Sequence, residues 1–281
     1  MRLFLIPIST KRTLIYGQRL NKVTQETPTL ADKASARAAQ LWLKWESAEK
    51  GWQKKLTEYG NKVFNRIAFE EWGLKSIPPL SARKEQEGAA SKKIEVIFPP
   101  SIISEQNVPK IVERLATERT SLHRRRLIWC LIGMPISAPF GLIPVIPNIP
   151  FFYLAYRAFS HWKALSGAKH LEFLSNRTLI LPVKSAALDA VYRRHNTDTA
   201  IDDDALVNKE KVEWTEVAKA IRSARKGDEG HKEVLLLREE DAEAVAKVAN
   251  VPALAVECER ASRQVAEQMQ LRAEEDAQKI H

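Results

Sequence analysis

Cysteine is scarce in these 281 residues: Cys130 and Cys258 are the only two, too few for a disulfide framework. The six histidines and the two cysteines fall at no spacing that marks a metal site. No glycine-rich phosphate loop, nucleophile elbow or metalloprotease signature occurs. The usual carriers of enzyme chemistry are therefore missing, and no catalytic residue, cofactor or metal ligand is expected. Acid is missing from the N-terminus, where Glu26 is the first carboxylate after Arg2, Lys11, Arg12, Arg19 and Lys22. That arginine-rich, hydroxyl-containing, acid-poor composition fits a mitochondrial transit peptide and, equally, a basic N-terminus belonging to a folded domain. The piece RLFLIPIS is too short for a secretory signal. Charge of either sign is missing between Arg126 and Arg157.

What is present is an uneven charge distribution. The net charge is +9, yet from Asp228 onward 13 acidic residues face 7 basic ones, a net −6 that leaves +15 for the residues before. The basic part contains the charge-free stretch, which points to anionic lipid ahead of nucleic acid or an acidic protein as the partner.

From Thr27 and Pro28 to Gly73 the pattern predicts one long helix. Leu41, Trp45, Ala48, Trp52, Leu56, Tyr59, Val63 and Ile67 line one face, and lysines cover much of the other. Residues 81–93 read as a flexible linker after Pro78 and Pro79. IEVIF reads as a short extended piece, and Asn107 with Pro109 opens a helix that runs straight into the apolar stretch. Beyond the stretch, a continuing helix, an extended RTLILPV and a short KSAALDAVYRR helix precede the acidic loop TDTAIDDD. The C-terminal third reads as amphipathic helices interrupted at Val251-Pro252.

Leu127 to Tyr156 would form roughly 45 Å of straight helix, against a bilayer core of about 30 Å. Pro139, Gly141, Pro144, Pro147 and Pro150 break such a helix in its second half, and Asn148 is placed to cap a second arm. Arg124, Arg125 and Arg126 flank one end, with Arg157 and Lys163 at the other, so both flanks carry the basic residues of the non-translocated side. Trp129, Tyr153, Tyr156 and Trp162 add interfacial aromatics. A membrane hairpin over 127–162 follows, with a single span as its rival. An arm from Leu127 to Ala138 is only about 18 Å long, and so too short to cross the core.

Three stretches carry a family resemblance: LFLIPISTKRTLIYGQRL, LWLKWESAEKGWQKK, and HRRRLIWCLIGMPISAPFGLIPVIPNIPFFYLAYRAFSHWKAL. They resemble the fungal mitochondrial potassium/proton exchange-related protein family over most of the chain. The resemblance implies an inner mitochondrial membrane location, a part in potassium/proton exchange, and an N-terminus that belongs to the family domain. It carries over no catalytic residues.

The expected architecture is mainly α. It comprises an N-terminal basic segment with a long Trp-rich amphipathic helix (1–80), a linker (81–93), a helical lead-in (94–126), a Pro-interrupted membrane hairpin (127–162), matrix-side helices (163–194), and an acidic loop with a small helical module (195–281). The expected role is an accessory or regulatory component of the exchange system. Its partners are the lipid bilayer and membrane proteins or further copies of the chain, rather than nucleic acid. The alternative is a membrane-anchored matrix-side tether for ribosomes or another assembly.

Overall fold

The computed structural model describes residues 1–20, 40, 66–80, 92–139, 148–193, 219–223 and 233–280. The chain divides into two compact units, one made of residues 1–18 with 69–281 and the other of residues 19–68. Every element named below belongs to the first. The expected linker over 81–93 and the acidic loop lie almost wholly outside the described residues.

The described residues are mostly helical, but their centre is a sheet. Strands β1 (Arg2–Pro7), β2 (Thr13–Gln18), β3 (Ile94–Phe98) and β4 (Ile180–Lys184) stand in the order β2-β1-β3-β4. β1 and β2 form an antiparallel hairpin with Leu5 opposite Ile15, and β1–β3 and β3–β4 pair in parallel. The extended readings of IEVIF and RTLILPV correspond to β3 and β4. The mainly helical expectation holds for the described residues, and the first two strands are an addition to it that the sequence reading did not contain. RLFLIP gives no alternating pattern because β1 is buried on both faces, and a strand covered twice reads as a plain apolar run.

Helices cover both faces. Leu3, Leu5, Val96 and Phe98 pack with helices α2 (Val108–Thr117) and α4 (Ile149–Asn176) through Val112, Ala164, Ala168 and Leu171. Phe4, Ile6 and Leu14 form the opposite core with α5 (Ala186–Arg193), α6 (Ala242–Ala249) and α7 (Ala253–Ile280) through Leu188, Val245, Leu254 and Cys258. The C-terminal helices are thus half of the second core and do not stand apart as a module. Asn250, in the left-handed region at φ 54°, ends α6 one residue before the expected break.

Two helix expectations change. Of the long helix expected from Thr27 to Gly73, residues 27–39 and 41–65 lie outside the described residues; residues 66–68 are not helical, and helix α1 (Phe69–Ser76) begins at Phe69 and runs through Gly73. Gly73 is not a helix stop: a Cβ there would lie 2.5 Å from the Ile15 carbonyl oxygen, so glycine lets α1 press on β2. Gly167 does the same for α4, where a Cβ would lie 2.1 Å from the Leu74 carbonyl oxygen. The lead-in helix is also not continuous: α2 ends at Thr117 and α3 (Thr120–Ser137) restarts after a corner at Glu118 and Arg119, where Arg119 pairs with Glu70 at 2.6 Å.

Candidate membrane-facing hairpin and the polar cluster at its base

α3 and α4 run antiparallel as a helical hairpin. His123 meets His161 near the base, Gly133 faces Leu154 midway, and Asn148 reaches Ser137 at the far end. Asn148 caps α4 by accepting from the Phe151 N–H at 3.1 Å, while its Nδ2 donates to the Ser137 and Ala138 carbonyls at 2.7 and 3.3 Å. One side chain therefore both starts the second arm and satisfies carbonyls left open at the end of the first. Pro135 lies inside α3, Pro139 is exposed just past its end, and Pro150 occupies the first turn of α4. Gly141, Pro144 and Pro147 lie outside the described residues.

The hairpin exposes apolar side chains. Ile128, Trp129, Leu131, Ile132 and Ile136 on α3 are 49–69% exposed, and Phe152, Tyr153, Phe159 and Trp162 on α4 are 36–64% exposed. Nine of the fourteen large apolar side chains exposed among the described residues thus sit on these two helices, a concentration rather than the scattered singles of an ordinary surface. Among the described residues no helix is long and apolar enough to cross a membrane. α3 starts with polar and charged residues, so its apolar part is just Leu127 to Ser137. The spanning form of the hairpin is accordingly unsupported.

The sequence-predicted interface residues separate into two groups. Arg124, Arg125 and Arg126 are exposed, and none forms an ion pair with a described residue; Trp129, Tyr153 and Trp162 are also exposed. Lys163 is half-buried with its Nζ 5.7 Å from the Phe159 ring centre. Tyr156 is half-buried and turned toward Lys75. Arg157 is not at an interface: it is buried in an ion pair with Glu71 of α1, Nη1 to Oε1 at 2.8 Å and Nη2 to Oε2 at 3.1 Å. The pairing is bidentate, and Ser160 adds a hydroxyl donated to Oε1 at 2.6 Å.

Two buried imidazoles complete this cluster. Arg157 Nη2 lies 3.0 Å from His161 Nε2, and His161 Nδ1 lies 3.1 Å from His123 Nδ1. A guanidinium only donates, so His161 Nε2 must accept and its proton must sit on Nδ1. That N–H donates to His123 Nδ1, which places the second proton on His123 Nε2, buried without a hydrogen-bond partner. An added proton has no free acceptor: on His161 Nε2 it would face Arg157, and on His123 Nδ1 it would face the His161 N–H. Burial, with Arg157, His123 and Arg126 acting in the same direction against the pull of Glu71, lowers the His161 pKa to about 4. Burial, with Arg119, Arg126 and Arg157 beside it, likewise lowers His123 despite the attraction of Glu71. Burial alone would raise Glu71, but the Ser160 hydroxyl, the Arg157 contacts and the His161 interaction together hold it below the usual carboxylate range.

Glu71, His123 and His161 bring one ligand atom each within 4.8 Å of one another, a donor set zinc uses elsewhere. The arrangement does not fit a divalent cation. Both Glu71 oxygens are engaged, the guanidinium adjoins the site, and the Arg157 contact keeps the His161 proton on the nitrogen that would have to bind metal. This cluster was not expected from sequence. Its one legible trace is Arg157, Ser160 and His161, a polar stripe at i, i+3, i+4 directly after the apolar first turns of α4.

The chain matches the family described as mitochondrial K+-H+ exchange-related over residues 2–175. That span takes in the sheet through β3, the hairpin, Glu71 and both histidines, and stops short of β4 and α5 to α7. An uncharacterized protein of Saccharomyces cerevisiae is 29% identical over 62% of this chain, which spans 62% of that relative's length. An uncharacterized protein of Schizosaccharomyces pombe is 27% identical over 74% of this chain and 89% of its own. No solved structure matches the chain.

Proposed function

We infer an accessory role at a membrane from one premise: the chain belongs to the mitochondrial K+-H+ exchange-related family, which gives it a mitochondrial location. The protein acts as an accessory or regulatory component of potassium/proton exchange, held to the inner mitochondrial membrane by the α3–α4 hairpin with its folded body in the matrix. The observation that carries this reading is the nine exposed apolar side chains on the hairpin, next to a sequence with no charge from Leu127 to Tyr156. An apolar patch of that kind is stable against lipid and costly against water. An exchanger acting by itself needs several spans around ionisable groups at the midplane. The hairpin has no such groups, and its polar cluster sits at the base, held by an ion pair.

Two measurements test the reading. The protein should stay with the membrane pellet in high salt, because salt screens charge but does not release buried apolar area. Complete release by salt would remove the anchor. Purified protein in liposomes loaded with a pH dye should show no potassium-dependent proton flux of its own; robust flux would replace the accessory role with that of a transporter.

A further inference from the structure

The hairpin's polar and apolar residues divide across the helix axis rather than along it. At 100° per residue, the exposed Leu131, Ile128, Ile132, Ile136 and Trp129 cover an arc of roughly 160° on α3. On the same projection Arg124 and Arg125 lie within that arc and Arg126 about 60° beyond its Trp129 edge, all one level nearer the base. A helix that lies flat on a bilayer carries its basic residues as a stripe along its length. α3 has none past Arg126. Its boundary between charge and hydrocarbon is a level, as an upright element requires. From Leu127 to Pro139 the arm is about 18 Å long, against about 15 Å for half the hydrocarbon core, so it fills one leaflet. Trp129 stands about one turn above the arginines, where interfacial tryptophans sit.

We propose that Arg124, Arg125 and Arg126 form a collar that binds the phosphate headgroups of anionic lipids and holds the α3–α4 hairpin upright in a single leaflet. The proposal rests on the hairpin being a membrane anchor, and it adds the chemistry of the lipid and the depth of insertion. Arg157 takes no part, because Glu71 and His161 hold it inside the fold. The three exposed guanidiniums form no ion pair with a carboxylate among the described residues, while the exposed Trp162 and half-buried Lys163 follow His161 on α4, just on the base side of that level. An RNA backbone offers the same phosphates, but isoleucine and tryptophan directly above the arginines would stand against hydrated sugar. A lipid places hydrocarbon there.

The test uses the full-length protein and vesicle flotation, with phosphatidylcholine alone or mixed with phosphatidylglycerol. The wild type should prefer the mixed vesicles. The triple variant Arg124→Gln, Arg125→Gln, Arg126→Gln should lose that preference, by roughly a hundredfold in partitioning, while still binding phosphatidylcholine. These arginines are exposed and form no ion pair with a described residue, so the fold tolerates the change. If the triple variant keeps the wild-type preference, the collar is refuted and the anchor stands. If Ile128→Ser with Ile136→Ser floats as well as wild type, the anchor reading itself fails. Binding of a single-stranded RNA as tight as that of the mixed vesicles at physiological salt, lost in the triple variant, would overturn the lipid assignment. Nitroxide labels on Trp129→Cys and Ile136→Cys read the depth: upright insertion puts residue 136 deeper by about 10 Å, and equal depths would overturn it.

Discussion

Arg157 shows how little a residue's type says about its task. By sequence it is one more cation at the edge of an apolar stretch; in the fold it is buried, bonded to both oxygens of Glu71 and to His161. Replacing it with methionine strands a buried carboxylate and should destabilise the protein by about 3–5 kcal/mol, read from urea unfolding. Replacing Glu71 with leucine as well should recover part of that loss, since an apolar pair leaves no uncompensated charge. The histidines predict an acid response with a definite sign. His161 has a folded pKa of about 4 against 6.5 when unfolded, so it favours folding fully above about pH 6.5 and loses that contribution as pH falls toward 4. The loss amounts to up to about 3 kcal/mol, and His123, shifted in the same direction, adds to it. His161→Gln can keep one acceptor for Arg157 and one donor for His123 without titrating. Thermal melts of that variant should show a flatter profile between pH 6.5 and 4; an unchanged profile would remove the cluster as the cause.

Among the elements, the hairpin is held at both ends by different means, an ion-paired cluster at the base and a single asparagine at the far end. Asn148→Ala removes a cap and two bonds to the Ser137 and Ala138 carbonyls, a loss of about 1–2 kcal/mol. Amide exchange in the first turn of α4 should quicken while the sheet's exchange is unaffected; equal acceleration in both would mean the hairpin is not a separate unit of opening. Close packing decides the other end of α4. At Gly167 a methyl group would collide with the Leu74 carbonyl, a backbone atom that cannot turn aside. Gly167→Ala should therefore lower stability by more than 1 kcal/mol despite alanine's better helix propensity. A gain in stability would show that α1 and α4 are less closely apposed.

For the whole molecule, the sheet determines what can be removed. β1 lies between two helical layers with Leu3, Phe4, Leu5 and Ile6 almost completely buried, so residues 1–18 are part of the core, as the family resemblance implies. The hairpin returns to its starting level, with His123 against His161, so insertion of its tip as proposed would leave the chain before and after it on one side of the bilayer. In mitoplasts with an intact inner membrane, protease should spare tags at residue 1 and residue 281 alike. Selective loss of one tag would establish a crossing.

Some of this was settled by sequence alone. The thirty-residue absence of charge, the proline breaks, Asn148 as a cap and the arginine run are local facts, and local chemistry made the hairpin and its basic flank legible. β3 and β4 were legible for the same reason, as short apolar runs bounded by turn residues. Other features depended on residues far apart in the chain. β1 and β2 escaped because a strand covered on both faces loses its alternation, and the non-helical residues 66–68 and the corner at 118–119 escaped because propensity does not encode where a helix meets its neighbours. The Glu71, His123, Arg157 and His161 cluster unites three helices, and no spacing announces a site whose members are up to about ninety residues apart. Sequence determined which side chains could not rest in water; tertiary structure decided which of the charged ones would be buried, because only packing brings a partner close enough to offset the loss of solvent.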